Sequence, residues 1–360
     1  MKNTFEFIEL LSLSKLTETK LFLLLEKYGT PAAIREAPFE ELQTTVGTHL
    51  ARSIRSLHPN SDVHKKCKTA EALNVQVVPY YDTRYPHWLK TIDHYPPVLF
   101  VRGNILPQDE QAIAVIGTRG ATVYGKTIAE QFAGEFADAG LTVISGMARG
   151  IDTAAHHGAL KRHGRTIAVL GCGVDRCYPP ENQKLMNTII SNGAVISEFN
   201  IGTLPLAQHF PKRNRIVSGL SKAVVAVEAK EKSGVMNTVS WACAQNKDVY
   251  AIPGNIYSKA SHGTNRLIKD GAIPVTSTEE ILQSLGMTTV SFSCQTSDQL
   301  SLSDKEKIVW DQLTHEPVYL DVLSEELEQP TGMILNTLLE LELKGLVKQL
   351  PGMMFVRNFN

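Results

Sequence analysis

Apolar positions change their spacing along this chain, and each change marks a different kind of element. Residues 1 to 75 read as helical: Phe7, Leu10 and Leu11, then Leu21, Leu24 and Leu25, recur at helical intervals, with breaks at Gly29-Thr30-Pro31 and Ala37-Pro38. Within them Leu42 to Ile54 has the pattern of one helix-hairpin-helix unit. It lacks the usual second turn glycine, so a helical bundle without a ligand fits equally well. From Ala112 the pattern becomes short aliphatic runs alternating with helical tracts. Strands are predicted at Ala112–Gly117, Leu141–Ser145, Thr166–Gly171, Ala194–Ser197, Ala223–Glu228 and Asp248–Ile252, and helices include Lys126–Ala139 and Val235–Gln245. Apolar runs alternating with helices predict an α/β fold with a doubly wound sheet. Three amphipathic segments follow (Lys305–Leu313, Tyr319–Leu327, Gly332–Lys344), then extended stretches at Leu346–Lys348 and Met353–Val356, the order of a winged-helix module. The expected organisation is a helical domain over 1–78, an α/β domain over 79–287 that opens with a Pro- and Tyr-rich connector (79–107), a Ser/Thr-rich linker over 288–302, and a winged-helix domain over 303–360.

Nearly every predicted strand of the α/β part ends in a polar, glycine-containing turn. The first gives Gly117-Thr118-Arg119-Gly120 and the second SGMARGIDTAAHHG from Ser145, with Gly146, Arg149 and Gly150 in the turn before a helix. The fifth is followed by Ser233-Gly234 at a helix start. Glycine lets backbone N–H groups approach a ligand, a helix N-terminus adds partial positive charge, and a guanidinium grips phosphate bidentately. Lys212, Arg213 and Arg215 add three cations within four residues, next to Phe210 and near Phe199, either of which could stack a base. A row of anion-compatible turns on the carboxyl edge of a sheet marks a ligand-binding edge. The dinucleotide fingerprint fails, because Arg176 and Arg119 stand where it needs glycine, and the phosphate loop of ATPases is absent.

Composition narrows the partners. The 360 residues carry a net charge of −1, but residues from Ser301 onward hold ten acids against five bases, leaving +4 over the first 300. A polyanion is therefore expected on the first 300 residues, and the acidic tail is read as a protein-interaction or regulatory module. Five scattered cysteines (Cys67, Cys172, Cys177, Cys243, Cys294) fit reduced thiols better than disulfides or zinc. The aliphatic runs are too short for a membrane span, and a cytoplasmic protein without membrane attachment is expected. Asp152 and His156 lie one helical turn apart, yet no serine sits in a nucleophile elbow and His156, His157 and His163 do not space as a metal set.

Five stretches carry a resemblance: IGTRGATVYG from Ile116, SGMARGIDTAAHHGAL from Ser145, GRTIAVLGCGVDRCYPPEN from Gly164, HFPKRNRIVSGLSKAVVAVEAKEKSG from His209 and AIPGNIYSKASHGTNRLIKDGA from Ala251. Together they resemble the DprA/Smf family of DNA-processing proteins across most of residues 110 to 285. The resemblance implies an extended Rossmann-like domain that binds single-stranded DNA, forms a homodimer and delivers the strand to the RecA recombinase during natural transformation, with neither catalysis nor a cofactor. It places DNA contacts at Gly117, Thr118, Arg119, Ser145, Gly146, Arg149 and Gly150, beside Arg213, Asn214 and Arg215. Lys212 and the Ser233-Gly234 turn are added as phosphate contacts from the residue pattern. Where relatives carry a lysine within the tract reading YPPEN here, this chain has Pro180, leaving Lys184 as the nearest cation; Ala207 stands at another position that is basic in some relatives. The helix Val235–Gln245 is the expected self-association surface. The rival reading is a nucleotide-cleaving phosphoribohydrolase of the same fold superfamily, but SGVMNT after Glu228 lacks the double glycine of that family's phosphate loop.

Overall fold

A computed structural model describes residues 2–57, 61–287, 302–314 and 317–357. They divide into two compact units, Met1–Met287 and Thr288–Asn360. The expected linker, apart from Leu302, and Cys294 lie outside the described residues.

The first unit begins with α1 (Lys2–Leu10), α2 (Glu18–Tyr28), α3 (Pro31–Glu36), α4 (Phe39–Val46), α5 (Thr48–Arg55) and α6 (Ser61–Ala72). Thr17 and Thr30 cap α2 and α3 by accepting from Lys20 N and Ala33 N, and Gly47 (φ +87°) forms the turn between α4 and α5. The apolar stripes of these helices do not close on themselves. Phe7, Leu24, Ile34 and Ile54 share one buried cluster with Val77, Phe100, Ala168, Leu170 and Val195, so the helices pack directly on the sheet.

The sheet is built from β1 (Gln76–Pro79), β2 (Val98–Gly103), β3 (Ala112–Ile116), β4 (Thr142–Ser145), β5 (Thr166–Val169), β6 (Ala194–Ser197), β7 (Ala223–Ala226), β8 (Asp248–Ala251) and β9 (Ile273–Pro274), in the spatial order β1-β2-β6-β5-β4-β3-β7-β8-β9. Strands β3 to β9 run parallel, as the aliphatic runs predict. The stretch read as a connector instead carries α7 (His87–Lys90) and β2, which pairs antiparallel with both β1 and β6. Prolines on both sides of VLFVR hid a strand whose every apolar position is buried. Side chains alternate between faces with a period of two. Ile113, Val115 and Val143 meet α8 (Val123–Asp138) and α9 (Ile151–Lys161), while Ala114, Ile116 and Ile144 face the cluster containing Ile216, Val217 and Val239. Those three residues belong to α11 (His209–Gly219) and α12 (Gly234–Ala244); α10 (Gln183–Asn192) precedes β6, and α13 (His262–Lys269) and α14 (Thr278–Ser284) complete the layers. The result is the doubly wound α/β fold expected, with its order of winding reversing at β3 and β7. Among the described residues no helix is long and apolar enough to cross a membrane.

The second unit packs α15 (Asp304–Gln312), α16 (Leu320–Glu326) and α17 (Thr331–Leu343) against a sheet of β10 (Val318–Tyr319), β12 (Met354–Arg357) and β11 (Val347–Leu350), a winged helix around Val309, Leu323, Leu338 and Phe355. Ser303 and Glu306 form a capping box on α15, and Lys344 lies 2.6 Å from the Glu306 carboxylate.

Helices α8 and α9 approach closely because Gly158 has no side chain: a Cβ there would press into the Glu130 carbonyl of α8. Gly158→Ala is expected to cost about 1–3 kcal/mol of stability as the helices are forced apart. Thermal unfolding checks this, and a melting temperature at the wild-type value would contradict it.

Candidate nucleic-acid interface

At the reversal point, the carboxyl ends of β3, β4 and β7 diverge and open a cleft of about 570 Å³. Its walls come from Gly117, Thr118 and Arg119 after β3, Gly146 and Ala148 after β4, Tyr178 in the loop after β5, Phe210, Arg213 and Asn214 on α11, and Ser233, Gly234 and Asn237 at the start of α12. A smaller side recess lined by Arg119, Arg149, Tyr178 and Phe210 brings the two turn arginines together. Ligands of open α/β sheets bind at such a reversal, outside the strand ends.

The turns are held rigidly. Thr118 N donates to the Glu228 carbonyl at 2.8 Å, and the Thr118 hydroxyl accepts from Gly120 N at 3.4 Å. Gly150, at φ +80°, lies against the Thr118 and Arg119 carbonyls where any Cβ would clash, so the two glycine turns pack as one surface. Ser145 faces inward, its hydroxyl donating 2.7 Å to the Val115 carbonyl, and it braces β3 against β4. Asp152, buried in the first turn of α9, accepts from Ala148 N at 3.3 Å. Burial pushes its carboxyl up despite the nearby Arg213 and bonds from Gly117 and Gly146.

The expected basic cluster takes three different positions. It lies inside α11, which starts at His209, so helical rotation separates its members. The buried Arg213 guanidinium forms the cleft floor, donating to the Gly146 carbonyl at 2.7 Å and to the Val169 carbonyl. Arg215 is buried in a two-pronged pair with Glu198, at 2.9 and 2.8 Å. Lys212 is half exposed and bonded to Glu18. Asn214 lines the cleft and donates to Asn237 Oδ1 at 3.2 Å. Lys184 is exposed on α10 and is not among the residues lining either the cleft or the recess.

Two cations remain accessible at the cleft. Arg119 is exposed, with its guanidinium 5.2 Å from the centre of the Phe210 ring, and Phe210 lies 5.5 Å from Tyr178. Arg149 is exposed and paired with Glu181. The Ser233 hydroxyl, at the start of α12, is buried without a partner among the described residues. Tyr178 and Glu181 were not singled out from the sequence, although an aromatic residue in a loop on the ligand edge was a usable signal. Glu18 gave none, standing 194 positions from Lys212.

Asp152 and His156, one helical turn apart, do not bond one another. His156 Nδ1 pairs with Thr166 Oγ1 at 2.6 Å, and its buried ring titrates down at about 3. The Glu228 carboxylate accepts from Thr122 N at 2.9 Å and Thr122 Oγ1 at 2.5 Å, capping α8. Among the described residues no group of His, Cys, Asp and Glu could hold a metal ion.

The family model "DNA recombination-mediator protein A" matches residues 76–286, and that of the "DprA winged helix domain" matches residues 295–353. The chain is 38% identical to Protein Smf of Escherichia coli over 305 residues, covering 82% of this chain and 80% of that protein. It is 41% identical to the DNA processing protein DprA of Streptococcus pneumoniae over 201 residues, covering 56% and 71% respectively. Among solved structures, DprA from Streptococcus pneumoniae superposes with a TM-score of 0.69 at 32% identity, covering 78% of this chain and 97% of that one. The DNA processing protein A of Helicobacter pylori, described for its single-stranded DNA binding mode, gives a TM-score of 0.54 at 29% identity, covering 59% and 96%. With its α/β sheet, its winged helix and its matches to both family models, this chain belongs to the DprA/Smf family of DNA recombination mediators.

Proposed function

We propose that this protein binds single-stranded DNA along the carboxyl edge of its sheet and acts as a non-catalytic recombination mediator, protecting the incoming strand and loading RecA onto it in the cytoplasm during natural transformation. The observation that carries this reading is the cleft at the reversal point, where Arg119, Phe210 and Tyr178 stand beside the N-termini of α9 and α12. Aromatic faces stack bases irrespective of sequence, and the partial positive charge of a helix start favours phosphate. The Helicobacter pylori relative is described as binding single-stranded DNA. Phosphates are assigned to the Gly117–Gly120 turn with Thr118 and Arg119, to Gly146, Arg149 and Gly150, and to Asn214, Ser233 and Gly234. Arg149 would exchange Glu181 for phosphate. Ser145, Arg213 and Arg215 support this edge from beneath, and Lys184 lies outside it. No cofactor is needed.

Homodimerisation is proposed on the far side of α12, where Met236, Val239, Leu267 and the exposed Ile273 border a second cleft. The acidic winged helix would serve as a protein-binding module.

Double replacement Arg119→Ala/Arg149→Ala is expected to weaken single-strand binding at least tenfold and to flatten the slope of log affinity against log salt by about 0.7 for each phosphate left unneutralised. Fluorescence anisotropy with an oligothymidylate over a salt series measures both, and unchanged affinity would sink the assignment. Phe210→Ala is expected to weaken single-strand binding about tenfold, the worth of one stacked base, with little change on duplex DNA. Equal weakening on both would remove stacking from the account. Incubation with nucleoside monophosphates should release no free base; release would favour the phosphoribohydrolase reading.

A further inference from the structure

Read along the sequence, Lys212, Arg213 and Arg215 form a concentrated positive site. In the folded chain, Lys212 and Arg215 belong to a neutral cluster closed by two carboxylates. Arg215 is paired through both terminal nitrogens with Glu198, and both side chains are 2% exposed. That inner pair uses the Glu198 charge. The Lys212 ammonium lies 3.2 Å from Glu198 and bonds Glu18, whose other oxygen is 3.9 Å from Arg215. Glu18 is therefore the counter-charge of Lys212. Unlike the inner pair, these two are open to solvent, 39% and 41% exposed, so their contact can be exchanged.

Glu18 does not arrive there by chance motion of a surface loop. It opens α2, whose Leu21, Leu24 and Leu25 are buried and whose Phe22 packs 5.4 Å from Tyr80 and 4.9 Å from Tyr95. The apolar docking of the N-terminal helices thus presents a carboxylate to α11, the helix that carries Phe210 and Asn214 into the cleft. Partial burial and the neighbouring Glu198 raise the Glu18 carboxyl above the ordinary range, outweighing Lys212, so the charge is held at some cost.

Lys212 does not itself line the cleft but stands between Pro211 and Arg213, which do; we infer that Glu18 is a built-in counter-ion that occupies Lys212 in the resting chain, so that the N-terminal helices hold one phosphate-binding cation in reserve beside the cleft and lower the affinity of this edge for polyanions. A strand phosphate must displace Glu18 to reach Lys212; anything that lifts α2 adds one cation to the binding edge. The inference rests on the reading of the cleft as a single-strand site.

The test is oligothymidylate anisotropy over a salt series with full-length wild type, Glu18→Gln, Glu18→Gln/Lys212→Met and Arg119→Ala/Arg149→Ala. Glu18→Gln should tighten binding by about 3–10-fold at low salt and steepen the salt slope by about 0.7, the mark of one more phosphate neutralised. Adding Lys212→Met should abolish that gain. Glu18→Asp, which keeps the charge but shortens the reach, should give a smaller gain and covers the case in which the glutamine variant folds poorly, as thermal melting would reveal. Wild-type affinity in both Glu18 variants, or a gain that survives Lys212→Met, overturns the inference. Should Arg119→Ala/Arg149→Ala bind like wild type, the cleft reading fails instead, whatever Glu18 does.

Discussion

An arginine with 4% of its surface exposed must find its hydrogen bonds inside the protein, and the shape of the binding edge follows from where Arg213 finds them. It binds the carbonyls of Gly146, just past β4, and Val169, at the end of β5, and is balanced electrostatically by Asp152 in the first turn of α9. Burial lowers the affinity of Arg213 for its proton and raises that of Asp152, so each opposes the other's desolvation. The arrangement fixes α11 to two strand ends and sets the distance across which Phe210 and Asn214 face Arg119 and Gly234. Removing Arg213 would take away both carbonyl bonds and the positive charge that opposes the desolvation of Asp152. The floor of the cleft is thus built from the same type of side chain that a binding site would use on its surface.

That double use of arginine explains what the sequence could and could not reveal. The strands from β3 to β8 were legible because each is a short, mostly apolar run between helical tracts, and the glycine turns because they recur at the strand ends, where several also permit close packing: Gly117 on Ile151, Gly146 on Arg213, Gly150 on the Thr118 carbonyl. The strands β1 and β2 were hidden: a sequence rich in proline and tyrosine reads as irregular, and its pairing with β6 joins distant segments. In the basic tract, residue types were right but directions were hidden. Read along the sequence, Lys212, Arg213 and Arg215 look like one cluster of cations. With the helix beginning at His209, Arg213 shares a face with the buried Ile216 and Val217, and Arg215 with Gly219.

Charge balance on this edge is also a property of the fold and not of composition. Three of the cations around the cleft have a carboxylate brought to them from elsewhere: Glu181 for Arg149, Glu198 for Arg215, Glu18 for Lys212. Of these, the pair buried on both sides is committed to structure; the exposed ones are worth little to stability and can be exchanged. A chain of net charge −1 can therefore engage a polyanion without carrying a permanently positive face. At Arg149 and Lys212 an anion gains only by replacing an internal carboxylate, whereas Arg119 has no such partner among the described residues.

The same geometry argues for a strand whose bases are free. Phe210 offers its face between Arg119 and Tyr178 inside a concave cleft, whereas in a duplex the base faces are already stacked on one another. Reading a duplex through its grooves needs a helix or ribbon that projects, and this sheet edge recedes. A duplex would meet exposed cations such as Arg149, which a carboxylate already occupies. A single strand can bend phosphate by phosphate into the glycine turns and add the stacking energy that a duplex must first unstack to provide. On the proposed reading, selectivity would follow from which ligand can use the aromatic wall of Phe210 and Tyr178 and the turns together, with no contact required to tell one base from another.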